Sequence, residues 1–164
     1  MTISTGKELS KAYGKERWWL VARISTGVLL CISGFLAALN GIMGAAAGAW
    51  VADGGADNGA RGLLIMGLLF AASVGLMPSI WWSFGGRSDN KFIASSGILV
   101  GVLSLVGGAI GHFFGGDFWY DWHLTWVVAL SGTATIVLIL LGWVVVPAYE
   151  RAAQHAYDLE KGSW

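Results

Sequence analysis

Charge is scarce in this chain: 12% of its 164 residues are charged, and the formal net charge is zero. A nucleic-acid partner is thereby excluded, because displacing counterions from phosphate takes a concentrated basic surface. Cysteine is nearly missing too. Cys31 is the single copy, which removes disulfides, paired-thiol redox chemistry and cysteine-rich metal sites together. It lies in an apolar run and reads as a small packing residue. Proline occurs twice, at Pro78 near the inner end of the second run and at Pro147, where the fourth is expected to end, because proline removes a helical N–H. Asp, Glu, Lys and Arg are all absent from the runs 24–52, 62–86, 92–116 and 122–149. Each run exceeds the ~20 apolar residues that a helix needs to cross the hydrocarbon core.

The expected fold is therefore all-α, a four-transmembrane-helix bundle with spans at about 20–48, 62–84, 92–114 and 124–147. Short tails at 1–17 and 148–164 complete one integral membrane domain, 1–164, leaving no length for a separate soluble domain. Ala45-Ala46-Ala47, after a basic leader, resembles a signal-peptide cleavage site, but the segment is expected to be retained as the first span. Basic residues orient the bundle. Nine of the ten, namely Lys7, Lys11, Lys15, Arg17, Arg23, Arg87, Lys91, Arg151 and Lys161, fall in the two tails and the middle loop, and only Arg61 falls in an outer loop. By the positive-inside rule both termini are expected in the cytoplasm, with a bacterial cytoplasmic (inner) membrane as the setting. Trp18, Trp19, Trp81, Trp82 and Trp143 then mark the inner interface, and Trp50, Trp119, Trp122 and Trp126 the outer one. Such aromatic belts form because an indole pairs an apolar body with one N–H that prefers the headgroup zone.

What the chain has in quantity is glycine, 25 copies placed periodically. Gly27, Cys31, Gly34, Ala38, Gly41, Ala45 and Gly48 follow one another at steps of four and three, so they share one narrow helix face. Gly97, Gly101, Ser104, Gly108, Gly111 and Gly115 repeat the device in the third span. Small residues let backbones approach until packing and Cα–H contacts replace the hydrophobic drive that lipid does not supply. Close packing of the first and third helices, on each other or on partner subunits, is the expectation. Gly67, Ala71, Gly75 and Ser79 follow a four-residue step in the second span, the pattern of right-handed crossings, and Thr125, Ala129, Gly132, Thr135 and Gly142 form a weaker stripe in the fourth. A chain that gives a face of every helix to close contact encloses little cavity. Without ionisable groups at membrane depth, a small carrier or channel is the weaker alternative. Asn40 reads as interhelical glue rather than as a proton relay.

Chemistry-bearing residues concentrate outside the spans. His112, Asp117, Asp121 and His123 could hold a divalent metal, since neutral imidazole and carboxylate suit zinc, copper or iron. The plainer reading is a headgroup-level loop whose Asp and His are solvated or cap the fourth helix. Asp53, Asp57 and Asn58 lack the ligand order of a calcium loop and read as a flexible turn. No nucleophilic triad and no histidine at haem-binding depth is present, so the chain is not expected to be catalytic on its own. No cofactor is predicted, although a bound lipid or quinone is compatible. After Pro147, Tyr149, Ala152, Ala153, Ala156 and Tyr157 share a small-and-aromatic face, the mark of a short interfacial or partner-binding helix.

Ala22-Arg23-Ile24-Ser25-Thr26-Gly27-Val28-Leu29-Leu30, the turn Gly85-Gly86-Arg87 and Asp121-Trp122-His123 give the chain a layout that resembles the DoxX-like family of small four-helix membrane proteins. That resemblance implies a link to the membrane part of a thiosulfate:quinone oxidoreductase, with quinone near an interfacial Trp cluster and Asp121 or His123 handling protons. Asp117-Phe118-Trp119-Tyr120-Asp121-Trp122 is similar to a six-residue loop in the A subunit of copper membrane monooxygenases. Together these readings point to an accessory subunit of a larger membrane complex, an electron-transfer or oxygenase assembly, whose partners are other integral membrane subunits and the lipid bilayer. The orientation is directly testable in a Cys31→Ser background. Asp57→Cys should react with an impermeant maleimide on intact cells, whereas Lys7→Cys and Lys161→Cys should react only after the membrane is opened.

Overall fold

Backbone in an uncharged, unhydrated run must satisfy its own N–H and C=O groups, and a helix does so within one segment. The computed structural model describes residues 3–52, 60–85, 95–114 and 124–161. Among them it holds four helices and no strand: α1 (Ile3–Ala52), α2 (Ala60–Phe84), α3 (Ile98–Phe114) and α4 (Leu124–Lys161). Three of these, α1, α2 and α4, are long and apolar enough to cross a membrane, and α3 is a shorter apolar helix. With 50 and 38 residues, α1 and α4 measure about 75 and 57 Å, far beyond the ~30 Å hydrocarbon core. The 17 residues of α3 cover only about 25 Å.

The two long helices differ from expectation at their ends. Residues 3–17 are not a separate tail but the first turns of α1, and α4 runs through Pro147 to Lys161 instead of stopping there. Proline removes the N–H that would bond Trp143 O and crowds that carbonyl, a cost of about 3 kcal/mol. Tertiary packing offsets it. Ala152 and Ala156 beyond the proline are buried, as is Ala12 on the facing part of α1.

Helix α1 is the hub and touches all three others. Its partnership with α4 is antiparallel: Tyr13 meets Glu160 at 3.0 Å, the Arg23 guanidinium lies 5.0 Å from the Tyr149 ring centre, and Ser33 Oγ lies 3.2 Å from Thr135 Oγ1. The start of α1 and the end of α4 therefore lie at one end of the bundle. Buried Leu30, Ala37 and Ile42 of α1 form the core with Ala72 and Leu76 of α2, Val100 of α3 and Ile139 of α4. Thr135, fully buried, donates to Ser131 O at 2.8 Å, which keeps its hydroxyl satisfied inside this apolar contact. Met66, Phe70, Val74, Met77 and Trp81 form the exposed outer ridge of α2, a surface suited to lipid rather than water.

Glycine decides how near the helices come. A methyl group on Gly34 would lie 2.7 Å from the Leu76 side chain of α2, and one on Gly101 would lie 2.8 Å from the Gly132 carbonyl oxygen of α4. The tightest approach joins α1 and α3, where a methyl on Gly107 would strike the Gly41 carbonyl and one on Gly41 would strike Ser104 Cα. Backbone cannot swing aside as a side chain can, so these positions admit only hydrogen. Gly107→Ala should cost about 1–3 kcal/mol by overpacking and lower the thermal midpoint in detergent. Gly67→Ala, with nothing within 4 Å of the added carbon, should not lower the midpoint and should add up to about 1 kcal/mol of stability, since alanine is the better helix former.

Candidate functional site

Among the described residues, the polar chemistry concentrates at the end of the bundle where α1 begins and α4 finishes. Helix α2 stops at Phe84 because Gly85 adopts a φ of 122°, a left-handed conformation that glycine accepts without strain, and its N–H closes on Trp82 O at 3.3 Å. Arg23 of α1 completes this cap. It is 6% exposed, with Nε donating to Ser83 O at 3.0 Å and Nη2 to Trp82 O at 3.3 Å. Its positive charge lies where the helix dipole concentrates negative charge, and Tyr149 of α4 covers it in a cation–π contact. A long basic side chain at the end of an apolar run commonly snorkels to the headgroups; Arg23 instead turns inward, because the last carbonyls of α2 lack partners within their own helix.

A hydroxyl relay continues from this cap. Ser83 Oγ donates to Ser79 O at 2.9 Å, Ser79 Oγ accepts the Gly97 N–H at 3.0 Å, and Ser96 Oγ donates to Gly75 O at 2.7 Å. Pro78 deprives this stretch of α2 of one backbone donor, and serine hydroxyls commonly re-satisfy such backbone in membrane helices. The relay thus joins the C-terminal half of α2 to the turn that precedes α3. Trp82, expected in the aromatic belt, is buried instead beside Val146, with its ring 3.0 Å from where a methyl on Gly142 would lie. Trp18, Trp81 and Trp126 are more than half exposed. Trp143 is partly so, and donates its indole N–H to Ser95 Oγ at 3.0 Å.

Two hollows accompany the cap. One, of about 300 Å³, is an apolar groove between α1 and α2 bordered by Cys31, Phe35, Leu39, Ala72 and Met77. The other, of about 410 Å³, lies between the first turns of α1 and the last turns of α4, bordered by Ala12, Lys15, Trp19, Arg151, Ala152 and His155. Beside it, the Glu160 carboxylate accepts the Tyr13 hydroxyl and so holds that phenol protonated to higher pH than usual.

The residues singled out from the sequence fall in several places. Gly27, Gly34, Gly41, Gly97, Gly101, Ser104, Gly108 and Gly111 are buried, Gly75 is half-buried, and Gly67 and Ala71 face outward. His112 is half-buried with its ring edge-on to Phe113, 5.2 Å between centres. Asp117, Asp121 and His123 lie outside the described residues, as do Asp53, Asp57, Asn58, Trp119, Trp122, Gly115 and the Gly86-Arg87 part of the inner turn. The side chains of Asn40, Trp50 and Thr125 and the surroundings of Gly48 lie outside the description as well. Among the described residues no three His, Cys, Asp or Glu side chains gather in a metal-holding group.

Sequence reading missed three features here: Gly107, the inward turn of Arg23, and the basic cleft. Spacing carried a signal for the last, since Ala12, Lys15 and Trp19 share a face of α1, as do Ala148, Arg151, Ala152 and His155 of α4. Removing the cap should be costly. Arg23→Leu strands the Ser83 carbonyl, while Trp82 O keeps the Gly85 N–H, and should destabilise the protein by about 1–3 kcal/mol; Arg23→Lys, with one charged nitrogen in place of the fork, should recover part of that stability in thermal unfolding. No family model, curated protein or solved structure matches this chain.

Proposed function

We propose that this chain is an accessory integral membrane subunit that docks transmembrane helices of a larger complex, and that it does no chemistry alone. In this reading all four helices lie in a bacterial cytoplasmic membrane, with α3 the shortest of them and both chain ends in the cytoplasm. The observation that carries the proposal is the contrast among the small-residue faces. Those of α1, α3 and α4 are filled by neighbouring helices, whereas Gly67 and Ala71 of α2 stand open, with nothing within 4 Å of where a side chain on Gly67 would begin. A four-residue step of small residues in an apolar helix is suited to close helix–helix contact in lipid. The occupant that fits is a transmembrane helix of another subunit. The electron-transfer or oxygenase setting is drawn from the sequence resemblances.

Chain purified in native lipids should co-migrate with other integral membrane subunits, and the pair of substitutions Gly67→Phe and Ala71→Leu should release them without lowering the thermal midpoint of the isolated chain. A chain that stays monomeric in native lipid would overturn the reading. A second reading, a quinone-linked oxidoreductase component, is favoured by the apolar groove between α1 and α2, whose size and lining suit an isoprenoid tail. Quinone-dependent turnover that falls on Asp121→Asn or His123→Ala would support it.

A further inference from the structure

From the cleft between the first turns of α1 and the last turns of α4, we infer a binding site for a phosphate-bearing anion, supplied by the headgroup of an anionic phospholipid of the inner leaflet. The inference rests on the bilayer-spanning orientation proposed above, and it assigns these residues a ligand rather than a protein partner. Lys15, Arg151 and His155 border one hollow of about 410 Å³, within the ~300–1,000 Å³ typical of small-ligand sites.

Of their nitrogens, only Arg151 Nε has an acceptor among the described residues. Arg151 Nε donates to Pro147 O at 3.1 Å, which anchors the guanidinium at its root, and its outer nitrogens have no acceptor among the described residues. No acidic residue borders the hollow. Of the carboxylates on these turns, Asp158 accepts from the Gln154 amide at 2.8 Å and Glu160 from Tyr13, while Glu8, Glu16 and Glu150 do not border the hollow. Two fixed positive charges and an imidazole border one hollow with no carboxylate in its lining, and a phosphate group there would meet them with charge-assisted hydrogen bonds.

Depth selects the source of that phosphate. Lys15 lies four residues before Trp19, and Arg151 four after Pro147, so both stand ~6 Å beyond the ends of the apolar stretches. A headgroup layer occupies about 5–7 Å on each side of the hydrocarbon core. The cleft is thus at the level of lipid phosphates, with the Trp19 indole below them and room between two helices for the glycerol backbone. Basic pockets between helices on the cytoplasmic side are suited to such headgroups.

The test places the full chain in discs of phosphatidylcholine alone or mixed with phosphatidylglycerol, transfers it to mild detergent, and counts retained lipid by native mass spectrometry. Phosphatidylglycerol should be retained in preference to phosphatidylcholine, and Lys15→Ala or Arg151→Gln should each reduce that preference about fivefold, the effect of one basic residue at an anionic surface. Lys15→Arg should keep it. Lys7→Ala, away from the cleft, should leave it intact, and a loss there as large as for Lys15→Ala would overturn the site in favour of diffuse surface attraction. Inorganic phosphate in phosphatidylcholine discs separates the sources: a rise in thermal midpoint that vanishes in Arg151→Gln, with no preference between lipids, would keep the anion site but overturn its lipid source. Equal retention of both lipids with no response to phosphate would overturn the inference entirely. Failure of the orientation itself would show differently, as chain ends labelled on opposite faces of the disc.

Discussion

Helix α1 can approach α2 and α3 closely because, at Gly34 and Gly41, it has no side chain to hold them away. Lipid tails are as apolar as leucine, so burying leucine between membrane helices gains little, and stability must come from packing distance and satisfied polar groups. At Gly41 the α3 backbone reaches the α1 backbone itself, with Gly107 and Ser104 meeting it. Every other contact of α3 follows from that approach, including Gly101 against Gly132 of α4. A single added methyl at the crossing disturbs two backbones at once.

Toward the start of α1 and the end of α4, polar chemistry joins close approach. Arg23 is buried without a carboxylate among its described partners, yet two carbonyls and an aromatic face answer its charge. Such an arrangement suits a helix terminus, because the carbonyls it satisfies would otherwise be stranded. The Ser79, Ser83 and Ser96 bonds extend the same logic along α2 past Pro78. This polar end also has the basic cleft.

The outer faces divide by chemistry in a way that bears on function. Met66, Phe70 and Trp81 give α2 a bulky ridge that lipid can solvate, while Gly67 and Ala71 beside them leave a shallow channel in the same helix. Because α2 packs mainly on α1 and scarcely on α4, it is the helix with the most surface to offer another protein. A docking role draws on this asymmetry alone and asks for no buried charge.

The sequence by itself determined the helical class and the presence of helices long and apolar enough for a bilayer, since an uncharged run beyond ~20 residues has few other ways to satisfy its backbone in lipid. It also contained the small-residue stripes, because a step of three and four is a property of one helix and is visible without its neighbours. The hydroxyls of Ser79 and Ser96 and the charge of Arg23 were equally visible, but their partners were not: each lies on another helix, and a lone sequence does not state the rotation of one helix about its axis relative to the next. Only the tertiary structure decided that Gly107 meets Gly41, that Trp82 turns inward against Gly142, and that α1 and α4 continue as one antiparallel pair past Pro147. Proline read locally predicts an end to the helix, whereas buried alanines on both helices, brought together from opposite ends of the sequence, hold the helix through it.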